Sequence, residues 1–163
     1  METSLQPSAA TPAPPATIAP LVAADHAEWA LLWRGYLEFY RAAVDDGTSA
    51  TTFARLIGGS EPMGGFLARN GDGAAIGLVH WIAHRSCWTV GDYCYLQDLF
   101  VAPAARRGGV GRRLIEYVVE QAEQAGCERV YWLTHESNAE AMRLYDQVAQ
   151  RSGFLQYRRK LPR

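Results

Sequence analysis

Residues 95–126 read YLQDLFVAPAARRGGVGRRLIEYVVEQAEQAG and decide the fold. The first seven of them are mostly aromatic or branched, and Pro103 soon follows, a composition that predicts a strand. From Val110 onward, apolar residues recur at the spacing of an amphipathic helix, and Gly126 is placed to end that helix in the left-handed conformation. The segment therefore predicts a strand, a basic glycine-rich turn and a helix in succession.

The turn, residues 106–111, has the composition of an anion-binding site. Its glycines let the backbone approach a ligand closely and adopt positive φ angles. The N-terminus of the following helix offers unpaired N–H groups and about half a positive charge, and arginines stand beside it. These features suit a pyrophosphate, although a purely connective turn would also explain the glycines. A dinucleotide fingerprint is excluded because its last glycine falls at Leu114, and no Gly-Lys-Ser/Thr of a nucleotide P-loop is present.

Length, charge and cysteine usage restrict the class of protein. A chain of 163 residues fits one domain, which we place at residues 17–163 after an Ala/Pro-rich tail, residues 1–16, predicted to be disordered. The net charge of −1 gives no basic footprint, so no nucleic-acid partner is expected. No apolar run approaches the ~20 residues of a membrane span, and the tail does not read as a secretion signal. The widely spaced cysteines predict reduced thiols in a cytoplasmic protein, without a metal site: Cys87, Cys94 and Cys127.

The remaining sequence predicts the elements on either side of this segment. Before it come an edge strand at 17–23, a helix at 26–43 capped by Asp25, a turn at 45–47, a short helix at 49–56, and strands at 65–69 and 75–88 around an Asn-Gly-Asp-Gly hairpin. After it come a strand at 129–134, a helix through Arg151 opened by the capping box Ser137-x-x-Glu140, and a last strand at 154–161.

Arg106-x-x-Gly109-x-Gly111 resembles the acetyl-CoA signature (Gln/Arg)-x-x-Gly-x-(Gly/Ala) of the GNAT superfamily of N-acetyltransferases, and the order of predicted elements matches the GNAT arrangement. The resemblance implies an α/β (α+β) fold, with a mixed central sheet of about six to seven strands flanked by about four helices. In that fold the fourth and fifth strands are parallel and splay apart to admit the coenzyme. The resemblance further implies acetyl-CoA as co-substrate, no metal, and a homodimer.

The same resemblance assigns coenzyme-binding roles. Backbone groups of Leu99, Phe100 and Val101 would pair with the pantetheine arm, and one N–H would polarise the thioester carbonyl. Asn138-x-x-Ala141-x-x-Leu144-Tyr145 resembles the family's closing motif, in which the tyrosine hydroxyl protonates the departing sulfur; the alternatives are a core tyrosine and a helix-capping asparagine. Gly153 arrives four residues later than is usual, which predicts a helix longer by about one turn. The expected coenzyme-binding residues are Leu99, Phe100, Val101, Arg106, Arg107, Gly108, Gly109, Val110, Gly111, Arg112, Asn138 and Tyr145.

The acceptor amine must lose a proton, because an amine with a pKa near 10.4 is almost wholly charged at pH 7. The strand sequence resembles the Tyr-Leu-Glu-Asp-Phe-Phe-Val of polyamine acetyltransferases, but Gln97 replaces the glutamate that handles the amine and cannot take a proton. Asp98 could attract a cationic substrate or be structural. Alternation along the preceding strand places His80 and His84 on one face, where each is a candidate base or a structural histidine, with His135 a weaker candidate.

The sequence therefore predicts an N-acetyltransferase that moves acetyl from acetyl-CoA directly to a primary amine of a small molecule, such as an amino acid or polyamine, in a ternary complex. No cysteine stands in a nucleophile context, so no covalent intermediate is expected. The alternatives are a protein lysine or N-terminal acetyltransferase and a non-catalytic acyl-CoA-binding module. The catalytic candidates are Tyr145, Asp98 and His80. The candidates for the acceptor pocket are Trp29, Trp33, Trp81, Gln97 and Asp98, although the tryptophans also suit the core.

Overall fold

The computed structural model describes residues 15–162, which fall into two compact units divided after Trp132. The first unit contains, in chain order, β1 (Thr17–Pro20), a 3₁₀ turn (Ala23–Asp25), α1 (His26–Phe39), α2 (Asp46–Gly58), β2 (Met63–Arg69), β3 (Ala75–His84), β4 (Tyr93–Val101), a second 3₁₀ turn (Pro103–Ala105), α3 (Val110–Gln124) and β5 (Arg129–Tyr131). The second unit contains α4 (Ala139–Val148). Most of the tail predicted at residues 1–16 lies outside the described residues.

The first unit is built on one five-stranded sheet with the order β1-β2-β3-β4-β5. The first four strands are antiparallel neighbours, whereas β4 and β5 run parallel, which confirms the mixed α/β architecture and the parallel pair expected by resemblance. Pro20 is tolerated because β1 is an edge strand. The sheet has five strands rather than the expected six to seven, because residues 154–161 form no strand.

Apolar side chains cover both faces of this sheet. On one face, α1 and α2 contribute to a core cluster that consists of Leu21, Trp29, Leu32, Phe53, Leu56, Leu67, Leu78 and Phe100. On the other face, α3 buries Leu114 and Val118 completely or nearly so, and a Cβ added at Gly77 would lie 3.1 Å from Leu114 Cδ1. Burying each large apolar side chain is worth roughly 1.5–3 kcal/mol, so these contacts fix the helices that flank β3 and β4.

The helix α1 begins at His26 as predicted, but its predicted cap is wrong, and α2 begins earlier than predicted. Asp25 makes no side-chain cap to α1; it accepts from the backbone N–H of Val22 at 2.9 Å and pairs with Arg69 at 2.7 Å. Asp45 instead caps α2 by accepting from the Thr48 N–H at 2.8 Å. Residues 45–47, predicted as a turn, therefore open a helix that is longer than predicted.

Several predicted ends also differ. The helix α1 stops at Phe39 rather than at residue 43, and Arg41 just beyond it has φ +50°. The strand β3 ends at His84 rather than at residue 88, and β5 is three residues long. The segment that follows β4 agrees closely with prediction: α3 begins at Val110, and Gly126, just after its end, adopts φ +76°.

The second unit corrects three further predictions. The N-cap of α4 is Asn138, whose side chain accepts from the Ala141 N–H, so the capping box at Ser137 is wrong. The helix ends at Val148 and does not extend through Arg151, so the late Gly153 does not lengthen it. Residues 149–162 form no helix or strand, and their large apolar side chains are 78–92% exposed: Phe154, Leu155, Tyr157 and Leu161.

Candidate active site

The glycine-rich turn between β4 and α3 has the backbone geometry of an anion cradle. Gly109 is the N-cap of α3 at φ +76°, and Arg107 also adopts a positive φ of +65°. A Cβ added at Gly109 would meet nothing within 4 Å, so the space in front of this backbone is open. Val110 is buried and anchors the helix start, while the first N–H groups of α3 have no acceptor within the helix. The turn can therefore present several N–H groups to one anion.

The arginines of the turn are held in different ways. Arg106 donates through Nε to the carbonyl oxygen of Val101 at 3.1 Å, and its guanidinium lies over the rings of Phe39 and Phe100 at 5.7 and 5.8 Å. Arg106 thus ties the turn to the end of β4 while remaining exposed. Arg112, in the first turn of α3, lies 3.9 Å from Glu116. Both side chains keep a cationic group beside the helix N-terminus.

Arg113 is a residue that the sequence analysis did not single out. It follows Arg112 in the first part of α3, and its Nη1 is buried without a hydrogen-bond partner among the described residues. A buried guanidinium nitrogen in that position costs free energy unless an acceptor reaches it. The signal in the sequence was the second Arg-Arg pair, at 112 and 113, which repeats the pair at 106 and 107.

Beyond its first three residues, β4 has no partner strand on the β5 side. The parallel ladder joins Tyr93 to Arg129, Cys94 to Val130 and Tyr95 to Tyr131, and then stops. The remainder of β4, which includes Leu99, Phe100 and Val101, is paired only with β3 among the strands. Apart from the Val101 carbonyl oxygen, which accepts from Arg106, its outer backbone groups are therefore available to an extended ligand in the way a missing strand would use them.

A β-bulge interrupts the pairing of β4 with β3. His80 pairs with Asp98, but Trp81 pairs with Leu96, so Gln97 is the extra residue on β4. Its side chain is exposed. The bulge places Asp98 on the face of His80 and leaves main-chain groups at Gln97 outside the regular ladder.

Asp98 and His80 form a buried hydrogen-bonded network with Trp29. The Trp29 Nε1–H donates to His80 Nε2 at 2.8 Å, and His80 Nδ1 lies 3.0 Å from Asp98 Oδ2. Because indole is only a donor, Nε2 must be the acceptor, so the proton of a neutral His80 sits on Nδ1 and is donated to Asp98. His80 is 2% exposed and Asp98 9%. Both nitrogens of His80 are thus engaged, and it has no lone pair to offer a substrate amine.

Aromatic rings surround Asp98 on the α1 side. Trp33 stacks between Trp29 and Tyr36, at centroid distances of 5.8 and 5.3 Å. The pKa of the Tyr36 hydroxyl lies above its usual range, because the group is buried and because the charge of Asp98 and a hydrogen bond to it favour the neutral form. The carboxylate is therefore flanked by His80 and by a phenol that stays protonated.

Trp81 does not join this aromatic group. Its ring lies 6.3 Å from that of Phe66, which in turn packs edge-on against Tyr117 of α3 at 4.9 Å. Trp81 therefore belongs to the α3 face of the sheet, opposite Trp29 and Trp33. Alternation along β3 puts neighbouring residues on opposite faces, which is why His80 and Trp81 separate.

The other candidate residues lie near a strand end or in the second unit. His84 at the end of β3 is exposed and bonds the Tyr131 hydroxyl through Nε2 at 2.8 Å. In the second unit, Asn138 caps α4 and Tyr145 lies inside that helix, half-buried. His135 is exposed and lies 2.7 Å from the Ser137 hydroxyl.

Cys94 is buried in β4, whereas Cys127 is partly buried and Cys87 is exposed. Burial, with a smaller effect of Cys127, raises the pKa of the Cys94 thiol to about 11, so little thiolate exists at neutral pH. Within residues 15–162, no cluster of three His, Cys, Asp or Glu side chains is placed to hold a metal ion. No helix in that range has both the length and the apolar character needed to cross a bilayer.

A mixed sheet whose parallel pair ends beside a glycine-rich turn fits the class of acyltransferases that take their acyl group from coenzyme A. The comparisons give the particular family: the model of the Acetyltransferase (GNAT) family matches residues 29–149. The chain belongs to the GNAT family and is an acetyl-CoA-dependent N-acetyltransferase.

The names of two curated relatives describe enzymes that act on small amines. The chain is 38% identical over 136 residues to the D-amino-acid N-acetyltransferase HPA3 of Saccharomyces cerevisiae, covering 83% of this chain and 84% of the yeast protein. It is 36% identical over 84 residues to the thialysine N-epsilon-acetyltransferase of Caenorhabditis elegans, covering 52% and 51% of the two chains. The chain therefore lies near the small-amine acetyltransferases of the family.

Solved structures show the same fold at lower identity. The aminoglycoside N-acetyltransferase AAC(6')-Iy in complex with CoA superposes with a TM-score of 0.77 at 18% identity, covering 96% of this chain and 99% of that chain. The ribosomal-protein-alanine N-acetyltransferase of Brucella melitensis biovar Abortus 2308 gives a TM-score of 0.75 at 19% identity, with 90% and 99% covered. These likenesses confirm the GNAT fold.

Proposed function

We propose that this enzyme transfers acetyl from acetyl-CoA directly to the primary amine of a small, cationic molecule of the amino-acid or polyamine class. The observation that carries the proposal is the Asp98 carboxylate, buried on the α1 face beneath aromatic rings and hydrogen-bonded to His80. In its neutral form His80 donates a hydrogen bond but no charge, so a substrate ammonium would supply the cation that Asp98 lacks. The names of the D-amino-acid and thialysine relatives support the same substrate class.

The coenzyme would lie along the free edge of β4 and on the α3 N-terminus. Backbone groups of Leu99, Phe100 and Val101 would take the pantetheine arm, and the turn would take the pyrophosphate. The open space at Gly109 and the first N–H groups of α3 fit an anion there. The side chains that we propose to assist are Arg107, Arg112 and Arg113, with Arg106 tethering the turn and Gly108, Val110 and Gly111 supplying backbone.

Leaving-group protonation is assigned to Tyr145, as the closing motif implies. A thiolate whose conjugate acid has a pKa near 8.5 accepts a proton readily once a phenol is positioned beside it. Asn138, which caps α4, would place that helix. We do not propose His80 as the base, because its one unprotonated nitrogen, Nε2, accepts from the Trp29 indole, which cannot relay a proton from a substrate.

The acetyl group would pass from sulfur to nitrogen in a ternary complex without an acyl-enzyme. The buried Cys94, with its raised pKa, is a poor nucleophile at neutral pH, which supports direct transfer. A cytoplasmic location and a homodimer, which the resemblance implies, are further proposals; equilibrium sedimentation of the purified protein at several concentrations tests the dimer.

Thiol release with an amine panel tests the proposal. The panel should contain D- and L-amino acids, lysine analogues, polyamines, and a lysine-containing peptide, and mass spectrometry should identify the acetylated product. We expect turnover with small cationic amines and a raised KM for the amine in Asp98→Asn, with acetyl-CoA affinity kept. Turnover of the peptide alone would favour the protein-acetyltransferase alternative. Coenzyme binding without thiol release for any amine would support the binding-module alternative and overturn the proposal.

A further inference from the structure

A second pair of titratable side chains, His84 and Tyr131, lies on the Asp98 face of the sheet. His84 Nδ1 lies 2.8 Å from the carbonyl oxygen of Arg85, to which it can only donate. The other nitrogen, Nε2, lies 2.8 Å from the Tyr131 hydroxyl oxygen. In a neutral His84 the proton therefore sits on Nδ1, and Nε2 accepts the Tyr131 O–H. The hydroxyl oxygen of Tyr131 keeps its lone pairs for another donor.

The position of Tyr131 relates this pair to the open edge of β4. Tyr131 ends β5 and pairs with Tyr95 at the last step of the parallel ladder, where the two strands begin to separate. Its ring stacks on Tyr95 at 5.0 Å. Burial, followed by the charges of Asp98 and Tyr131, raises the pKa of Tyr95. Burial likewise raises the pKa of Tyr131 itself.

We infer that Tyr131 and His84 form the route by which the acceptor amine loses its proton; this inference rests on the proposed function. An N–H bond of the substrate ammonium breaks and an O–H bond forms at Tyr131. The original Tyr131 O–H bond breaks at the same time, and an N–H bond forms at His84 Nε2. The resulting imidazolium releases that proton to water, because His84 is exposed. The amine is left neutral with its lone pair free to attack the thioester.

The titratable and charged groups around His84 come from β4, from β5 and from the residues that follow β3. Tyr93 of β4 meets the imidazole edge-on at 6.0 Å, and the Arg129 guanidinium of β5 lies 4.3 Å from the Tyr93 ring centroid. Arg85, next to His84, pairs with Asp92 at 3.2 Å.

The test compares amines of different basicity in Tyr131→Phe and His84→Gln. One amine is a polyamine or lysine analogue, charged at pH 7, and the other is a fluorinated ethylamine that is largely neutral at that pH. We expect kcat for the charged amine to fall about 10-fold or more in both variants. For the neutral amine we expect little change, because no proton has to leave before attack. Tyr117→Phe, on the opposite face, is the matched control and should leave both rates unchanged.

The outcomes separate this inference from the proposed function. Thiol release by the wild type with a fall confined to the charged amine supports the proton route, as does recovery of a His84→Ala variant by added imidazole. Equal losses of kcat for both amines would assign the pair a positioning role and overturn the inference. Rates in Tyr131→Phe and His84→Gln as high as those in Tyr117→Phe would also overturn it. A wild type that acetylates no amine overturns the proposed function itself. His84→Gln changes an exposed side chain, so its rates still test the inference even if circular dichroism shows that Tyr131→Phe is unfolded.

Discussion

At the scale of single residues, the two histidines of β3 show what sequence alternation can and cannot assign. Alternation correctly put His80 and His84 on one face, but it could not reveal that Trp29, 51 residues earlier, donates to His80. That contact removes His80 from acid–base chemistry and makes it a structural link to Asp98. The exposed His84 keeps a direct connection to water.

Removing the indole donor at Trp29 should cost stability. In Trp29→Phe, the buried Nε2 of His80 loses its hydrogen-bond donor, which costs about 1–3 kcal/mol before any loss of packing. Trp33→Phe is the control, since its Nε1 donates at 3.1 Å to Ser49 in a half-buried setting. Urea unfolding measures both. Equal free energies of unfolding for the two variants would contradict a special role for the Trp29–His80 bond.

The phenol at Tyr145 should act on turnover rather than on binding. Tyr145→Phe removes one hydroxyl, so we expect kcat to fall by about 10²–10⁴-fold while acetyl-CoA affinity stays within a few-fold. Tyr157→Phe, at a side chain that is 92% exposed, should change neither quantity. Steady-state thiol release and calorimetry with the coenzyme provide the two readouts. Unchanged turnover in Tyr145→Phe would remove this residue from the mechanism.

At the scale of elements, the turn before α3 can be tested through its glycine. Gly109→Glu introduces bulk and a negative charge in front of the helix N-terminus, so we expect acetyl-CoA binding to be lost in calorimetry. Gly59→Glu is a matched control, because Gly59 also has a positive φ, +67°, with nothing within 4 Å of an added Cβ. Both variants carry the same backbone strain. Normal affinity in Gly109→Glu would mean that the turn is only connective.

The elements also show which parts of the fold the sequence could predict. The start of α3 and its glycine cap depend on neighbouring residues, so Val110 and Gly126 were predicted correctly. The cap of α1 was not, because Asp25 pairs with the distant Arg69. The turn of the candidate site was likewise readable from local spacing. The Trp29–His80–Asp98 network was not, because strand pairing and helix packing create it.

At the scale of the whole molecule, acid should weaken the fold. Glu28 has a lowered pKa, chiefly because it hydrogen-bonds Arg69, which lies on β2 and also pairs with Asp25. A lowered folded-state pKa stabilises the protein above the ordinary value of 4.5, and that contribution disappears as the pH falls through the lower folded value. The free energy of unfolding should therefore decrease below about pH 4.5.

Urea midpoints measured between pH 7 and pH 3 check this slope. In Glu28→Gln the decline should be shallower, since one of the groups that must be protonated is gone. A second carboxylate, Glu61, pairs with Arg55 on the exposed surface and serves as the comparison. The arginine of this pair is 53% exposed, against 26% for Arg69, and an exposed pair contributes little, so Glu61→Gln should follow the wild type more closely. A Glu28→Gln slope identical to that of the wild type would contradict the role given to Arg69.

The extra residue on β4 offers a way to distinguish its structural role from its role in the reaction. Leu96 pairs with Trp81, and Asp98 pairs with His80. A chain that lacks Gln97 could therefore form an uninterrupted ladder, and all remaining side chains would stay on their present faces of the sheet. Such a shortened chain should fold, keep its carboxylate and still bind the coenzyme. The loss of kcat in that variant would then measure what the one peptide unit outside the strand ladder contributes to catalysis.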